Sequence, residues 1–152
     1  MISPEEQLRL DERFMQEALK QANLALFKDE VPIGAVIVSG TTIIAKGYNQ
    51  TETLNDVTAH AEMIAFTAAA SYLNGKYLRD CTLYVTVEPC VMCAGASYWT
   101  QISRIVYGAI DDKRGYHLHG NLLHPKTKII GGVLREECSN LVKDFFIKKR
   151  KN

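Results

Sequence analysis

The sequence predicts a three-layer α/β/α domain built on a central mixed sheet of about five strands. The first and last stretches repeat apolar residues at spacings of three and four, which is typical of amphipathic helices. Between them, short β-branched runs alternate with two further helical stretches, in the order helix, strand, strand, helix, strand, helix, strand, short strand, helix. We expect residues 1–152 to form one domain, because the sequence contains neither a linker nor an internal repeat.

The first helix is predicted to begin at Ser3, which precedes a proline at the first helical position and a glutamate at the third. Asp11 is an alternative N-cap that would start the helix later. Its apolar stripe consists of Phe14, Met15, Ala18, Leu19, Ala22, Ala25 and Leu26.

A hairpin and a helix are predicted next. Residues 32–38 form an apolar run closed by a Ser-Gly-Thr turn, and residues 42–48 follow as the antiparallel partner strand. Residues 49–57 are polar and predict a loop. An alanine-rich helix is expected from Thr58 to about Leu73, where an Asn-Gly pair provides a C-terminal stop.

The second half begins with a β-branched central strand over residues 81–87, and Pro89 is predicted to open a helix that reaches about Trp99. Residues 104–109 form a further strand, and residues 128–133 a short last one after a long loop. A closing amphipathic helix follows from about Leu134 and ends in the basic run 148–151.

The bulk composition excludes some classes of protein. With 18 basic and 17 acidic residues, the chain has no global basic field, although a local patch can still bind nucleic acid. No apolar run approaches the ~20 residues of a membrane span, and the N-terminus lacks the features of a secretory signal. Because Cys81 and Cys138 stand apart from the only closely spaced cysteine pair, we expect free thiols, a cytoplasmic location and no membrane partner.

Four residues form a candidate catalytic metal site. Zinc prefers nitrogen and thiolate ligands, and a catalytic zinc takes three from protein and leaves the fourth position to water. His60, Cys90 and Cys93 provide such a set, with the two cysteines one helical turn apart near a helix N-terminus that favours thiolates. Glu62 is then free to transfer protons.

This set is chemically suited to hydrolysis, and hydrolytic deamination follows if the attacked atom is a ring carbon that bears an amino group. Zinc would lower the pKa of its bound water to about 7, and Glu62 would take the proton and return it to the leaving group. Attack on a ring carbon that bears an amino group gives a carbonyl and ammonia. Two alternatives stay open: a redox-active Cys-x-x-Cys pair, and a structural zinc with a fourth ligand from Cys81 or from a histidine at position 117, 119 or 124.

At these residues the chain resembles the zinc-dependent cytidine/nucleotide deaminase superfamily, whose pattern is His-x-Glu followed by Pro-Cys-x-x-Cys. Within the superfamily it most resembles the bacterial tRNA adenosine deaminases (TadA family), over most of its length. The segments that carry this resemblance are residues 31–36, 58–62, 82–90, 93–96, 106–109 and 144–146.

The resemblance implies a cytidine-deaminase-like fold, one zinc ion per chain and a homodimer. It also implies a tRNA anticodon stem-loop as partner, with adenosine at the wobble position converted to inosine by attack of zinc-bound hydroxide at C6 and loss of ammonia. The site residues it implies are His60, Cys90 and Cys93 for zinc, Glu62 for proton transfer, and Asn49 and the backbone N–H of Ala61 for the nucleoside. For Asn49 the alternative is an ordinary polar residue at a strand end.

The segment 116–120 departs from the family pattern, because Tyr-His-Leu-His-Gly replaces small residues that are common there. The exact substrate is therefore less determined than the chemistry. A deaminase of a free base or nucleoside, such as guanine or cytosine, is the alternative function, and a non-enzymatic zinc-stabilised RNA-binding protein is a third class.

Residues of the segment 116–120 would either contact RNA or pack as an ordinary loop. The run 148–151 would either bind phosphate or be solvated. Tyr98 and Trp99 would pack internally or lie at a dimer interface.

Overall fold

A computed structural model describes residues 1–151. Within that range, four α-helices flank a five-stranded sheet with the strand order β2-β1-β3-β4-β5. β1 pairs antiparallel with β2 and β3, whereas β3–β4 and β4–β5 are parallel. The predicted element order and mixed sheet are thus confirmed. The elements are α1 (Pro4–Phe27), β1 (Gly34–Ser39), β2 (Thr42–Tyr48), α2 (Ala61–Leu73), β3 (Cys81–Val87), α3 (Val91–Thr100), β4 (Arg104–Ala109), β5 (Lys128–Ile130) and α4 (Arg135–Lys151).

The sheet separates two apolar clusters, which produces the predicted three layers. Because side chains alternate across a strand, neighbouring residues of β1 and β3 enter opposite clusters. Ile37 and Leu83 pack with Ala65 and other residues of α2 and α3 on one face. Val36 and Tyr84 pack with residues of α1 and α4 on the other.

The start of α1 is as predicted, since the Ser3 hydroxyl accepts a hydrogen bond from the backbone N–H of Glu6 at 3.1 Å. The alternative N-cap at Asp11 is wrong. Asp11 lies inside the helix and is buried, and its carboxylate accepts hydrogen bonds from the Tyr84 hydroxyl at 2.8 Å and from the Arg104 guanidinium at 2.9 and 3.2 Å. This carboxylate therefore joins α1 to β3 and β4 and caps nothing.

Two helices begin later than predicted. α2 begins at Ala61 rather than at Thr58, because Thr58 is held in a turn by hydrogen bonds to the Asp56 carboxylate. α3 begins at Val91 rather than at Pro89. In both cases the residue before the helix, His60 or Cys90, has an extended backbone in the N-cap position. The candidate metal ligands His60 and Cys90 therefore each lie immediately before a helix.

Smaller differences concern the ends of the sheet and the long loop. β1 begins at Gly34 rather than at residue 32, and β5 stops at Ile130 rather than at residue 133. Residues Tyr116–His119 form a short 3-10 helix where the sequence predicted only loop. Among the described residues, no helix has both the length and the apolar composition needed to cross a membrane.

Candidate metal and catalytic site

The three predicted metal ligands converge at the N-termini of α2 and α3. Nδ1 of His60 lies 3.6 Å from Sγ of Cys90 and 3.5 Å from Sγ of Cys93. The ligand atoms of all three side chains lie within 4.8 Å of one another, and residues 1–151 contain no second cluster of this kind. The structure therefore brings together the set that the two motifs predicted.

A close approach between β2 and α2 places His60. A β-carbon added at Gly47 would lie 2.5 Å from the Ala61 carbonyl oxygen, so only glycine permits this packing. The backbone N–H of Gln50 also donates to the Ala59 carbonyl at 3.0 Å. Together these contacts hold the segment before α2 against the end of β2.

The donor set fits zinc in a catalytic rather than a structural arrangement. One imidazole nitrogen and two thiolate sulfurs are zinc's preferred ligands, and three protein donors leave one position open. Within the described chain no fourth histidine, cysteine or carboxylate joins the group. Cys81 begins β3 while Cys90 follows its far end, roughly 20 Å away at the rise of an extended strand. The proposed fourth ligands are thus not in position.

The pKa values of Cys90 and Cys93 are shifted in opposite directions. A hydrogen bond from Cys93, supported by His60, lowers the pKa of the Cys90 thiol to about 4. The same hydrogen bond, together with burial, raises the pKa of the Cys93 thiol. The hydrogen bond with Cys90 also raises the pKa of the His60 imidazole. The expected thiolate therefore resides at Cys90, and zinc binding would displace the proton from Cys93.

Glu62 lies in the first turn of α2, beside the metal-binding group but not part of it. Its side chain is almost fully buried. Burial raises the pKa of the Glu62 carboxyl to about 7, and the neighbouring charge of Cys90 acts in the same direction. A carboxyl that titrates near neutral pH is suited to accept and return a proton in one catalytic cycle.

The two predicted substrate-binding residues lie on adjacent segments. Asn49 is buried just after β2, where its side-chain amide donates to the Val31 carbonyl at 3.3 Å and accepts from the Thr51 N–H at 3.4 Å. Ala61 is the first residue of α2, and N–H groups in a first helical turn have no intrahelical acceptor. Their contacts with a nucleoside stay predictions.

Glu88 is a buried carboxylate that was not predicted from the sequence, and it holds one neighbouring loop. Its side chain accepts hydrogen bonds from the backbone N–H of Asp111 at 3.1 Å, and from both the backbone N–H and Nδ1 of His117 at 2.9 and 2.7 Å. Its position directly after a buried strand is the one sequence signal of this role. A carboxylate buried at such a position requires hydrogen-bond partners.

Glu30 is a second missed carboxylate with the same kind of role. It is 1% exposed and accepts hydrogen bonds from the N–H of Glu52 at 3.1 Å and from the N–H and hydroxyl of Thr53, both at 2.6 Å. These bonds outweigh the effect of burial and lower the pKa of Glu30. Glu30 therefore holds the loop 49–57 through these hydrogen bonds, in the same way that Glu88 holds the loop 111–119.

Comparison with known proteins identifies the family to which the His60, Cys90 and Cys93 site belongs. Residues 8–109 match the family model described as the cytidine and deoxycytidylate deaminase zinc-binding region. The chain belongs to this deaminase family. Family membership confirms the resemblance found in the sequence and makes the chain a zinc-dependent deaminase, and it favours that chemistry over a redox cysteine pair.

Within the deaminase family, several relatives match most of the chain. The tRNA-specific adenosine deaminase of Bacillus subtilis is 42% identical over 147 residues, which cover 93% of this chain and 91% of the relative. A structure from studies of A-to-I editing by tRNA:A34 deaminases has a TM-score of 0.79 and 39% identity, covering 85% of this chain and 98% of that one. A Bacillus subtilis guanine deaminase structure is 42% identical with a TM-score of 0.62, but it covers 65% of this chain and 64% of its own.

Proposed function

We propose that this protein is a tRNA adenosine deaminase that converts adenosine to inosine at the wobble position of a tRNA anticodon. One observation carries the proposal: the metal-binding group and the buried Glu62 lie together in a chain that is 42% identical, over 93% of its length, to a tRNA-specific adenosine deaminase. The overall reaction consumes water and releases ammonia.

The proposed roles of the metal-binding residues follow from their donor atoms. His60 would bind zinc through Nδ1, and Cys90 and Cys93 through their thiolate sulfurs. When bound there, zinc supplies a Lewis acid that makes water nucleophilic at neutral pH. The first-turn dipole of α3 stabilises negative charge on the two sulfurs.

Glu62 is proposed to move the protons. As a carboxylate it accepts a proton from the attacking water, and as a carboxylic acid it donates that proton to the amino group leaving C6 of adenine. Both forms are accessible near neutral pH because burial raises the pKa of Glu62 to about 7. Its position in the first turn of α2, two residues after His60, keeps it beside the reacting atoms.

Binding of the nucleoside is assigned to two groups beside the metal-binding residues. The N–H of Ala61 is at the N-terminus of α2, where it has no intrahelical acceptor, and it is proposed to donate to an acceptor on the base edge. Asn49 is proposed to hydrogen-bond the nucleoside through donor or acceptor capacity beyond its two internal bonds. The target base must leave the stack of the anticodon loop to reach them, at a cost of a few kcal/mol.

The assembly and location are also proposals. Three apolar residues of α3 are exposed, with Trp99 at 76%, Val91 at 45% and Tyr98 at 39%, and this surface supports a homodimer contact. The cysteines Cys81, Cys90, Cys93 and Cys138 are free thiols, which supports a reducing cytoplasm.

The basic end of α4 is proposed to contact RNA. Lys149 pairs with Asp29 at 2.6 Å, so the remaining cations of residues 148–151 are the ones proposed to bind RNA phosphates.

The decisive experiment compares an RNA substrate with two free bases. The zinc-loaded protein is incubated with an anticodon stem-loop that carries a wobble adenosine, and separately with free guanine and cytosine. We expect inosine in the stem-loop and no ammonia from the free bases. The partial match to a guanine deaminase makes guanine the main alternative. Ammonia release from guanine, without inosine in the RNA, would establish that alternative.

A further inference from the structure

The loop 111–119 is attached to the protein through one buried side chain. Glu88 is 3% exposed, and its two carboxylate oxygens accept three hydrogen bonds from the loop. Two of these come from the backbone N–H groups of Asp111 and His117, which any residue provides except proline. The third comes from Nδ1 of His117, at 2.7 Å, and depends on the identity of that side chain.

The attachment point lies next to the metal-binding group. Glu88 is two residues before Cys90, and Gly115 pairs with Cys90 through an isolated β-bridge. The N–H of Tyr116 donates to the Pro89 carbonyl at 2.9 Å. Gly115 also packs so closely on the Glu88 carboxylate that a larger residue would clash with it. The loop therefore packs beside the N-terminus of α3, which carries the metal ligands Cys90 and Cys93.

The same loop places two exposed cations beside this site, directly after an exposed acidic residue, Asp112. Lys113 and Arg114 are both exposed and immediately precede Gly115. Their backbone N–H groups each donate to the Asp111 carboxylate at 3.0 Å, which holds this short turn in one conformation. Two cations on a backbone turn held in this way, beside a site proposed to take a nucleotide, are suited to phosphate groups, which carry most of the affinity for nucleic acid.

We propose that His117 is a positioning residue for polynucleotide binding: its bond to Glu88 holds the loop 111–119 so that Lys113 and Arg114 contact phosphates beside the target nucleotide. This inference rests on the proposed RNA substrate and deepens it. The residue acts on recognition of the strand and not on the chemical step.

The test uses three variants of the full chain. His117→Ala removes the side-chain donor, His117→Asn returns an N–H donor near the position of Nδ1, and His119→Ala changes an exposed histidine of the same 3-10 helix as the matched control. Zinc content, kcat and KM are measured with the stem-loop at several salt concentrations. Dissociation constants for the same RNA are measured by fluorescence anisotropy.

We expect His117→Ala to raise KM and Kd for the stem-loop about tenfold, as for loss of a hydrogen bond to a charged group, with kcat and zinc content unchanged. The salt dependence of binding becomes weaker because phosphate contacts are lost. His117→Asn restores both values, and His119→Ala leaves them unchanged. An unchanged KM and Kd in His117→Ala, or a loss confined to kcat, overturns the proposal.

The two proposals fail in different ways. If the wild type binds the stem-loop but forms no inosine, the proposed reaction is refuted, and the Kd values of the variants still decide the role of His117. If the wild type does not bind the RNA at all, the role of His117 is refuted as well.

Discussion

Nδ1 of His60 lies 3.5 Å from Sγ of Cys93, although 33 residues separate the two in the chain. Neither side chain is brought there by its own helix alone. His60 precedes α2 and Cys93 lies in the first turn of α3, and the two helix N-termini meet because both helices cover the same face of the sheet. The metal-binding group is therefore a product of helix placement on the sheet.

Removal of one ligand tests the metal-binding group. We expect Cys93→Ser to weaken zinc binding by more than about 100-fold, since loss of a ligand exceeds the effect of losing an outer-sphere partner. Zinc content after dialysis against a chelator, measured by mass spectrometry, provides the readout. Cys81→Ser is the matched control, because Cys81 is equally buried but begins β3. Full zinc retention in Cys93→Ser would contradict the assignment.

Glu62→Ala tests proton transfer. We expect kcat to fall at least ~100-fold, the typical contribution of general acid–base catalysis, while the zinc content and the far-ultraviolet circular dichroism stay unchanged. Glu62→Gln, which keeps the size of the side chain, should lose as much activity because an amide cannot accept the proton. Glu137→Gln, at an exposed position of α4, serves as the control. A fully active Glu62→Ala enzyme would refute the proposed role.

Glu30 predicts a pH-dependent contribution to stability. Burial alone would raise its pKa, but hydrogen bonds from Thr53 and from the N–H of Glu52 outweigh burial and hold the pKa below its ordinary value of 4.5. The unfolded chain then binds a proton more readily than the folded one. The stabilisation is therefore present above pH 4.5 and is lost as the pH falls through the pKa of the folded protein.

We expect Glu30→Gln to lower the free energy of unfolding by about 1–3 kcal/mol at pH 7, because buried N–H groups lose a charged acceptor. Urea denaturation at pH 7 and at pH 3 to 4 measures the difference from wild type, which should shrink at the lower pH. Glu52→Gln, on the exposed side of the same loop, should change little at either pH. Parallel pH profiles for wild type and Glu30→Gln would show that the carboxylate has no such role.

The exposed apolar surface of α3 predicts the oligomeric state. We expect the wild type to sediment as a dimer and Trp99→Glu to sediment as a monomer, because a charge at this position opposes burial against a second copy. Phe27→Glu is the control: Phe27 is 89% exposed on α1, and its replacement should leave the dimer intact. A monomeric wild type, or equal effects of both variants, would place the dimer contact elsewhere or exclude it.

Local sequence signals predicted the regular elements well. The β-branched run Cys81–Val87 and the hairpin partner Thr42–Tyr48 appear with their predicted bounds, because alternation and turn residues are properties of adjacent positions. The start of α1 follows from the Ser3 side chain for the same reason. The starts of α2 and α3 were misplaced, since whether Thr58 or Pro89 is helical depends on what the neighbouring loop and strand contact.

The missed residues are those whose partners are distant in sequence. Asp11 is a residue type favoured at N-caps, yet it pairs with Arg104, 93 residues away. Glu88 gave no local sign of its bonds to His117, which depend on the return of the chain after β4. A buried carboxylate must find donors, but which donors it finds is set by the packing of elements and not by its neighbours in the chain.

The sequence was enough to propose the chemistry: two motifs supply one imidazole, two thiols and one spare carboxyl, donor types that zinc prefers, and their resemblance to the deaminase pattern indicates hydrolysis. The folded structure was needed to show that these groups meet, that no fourth protein ligand joins them in residues 1–151, and that burial raises the pKa of Glu62 to about 7. It also decided which buried carboxylates hold the two neighbouring loops. The reason is that ligand identity resides in the side chain, whereas distance, exposure and pairing arise from surfaces that the fold brings together.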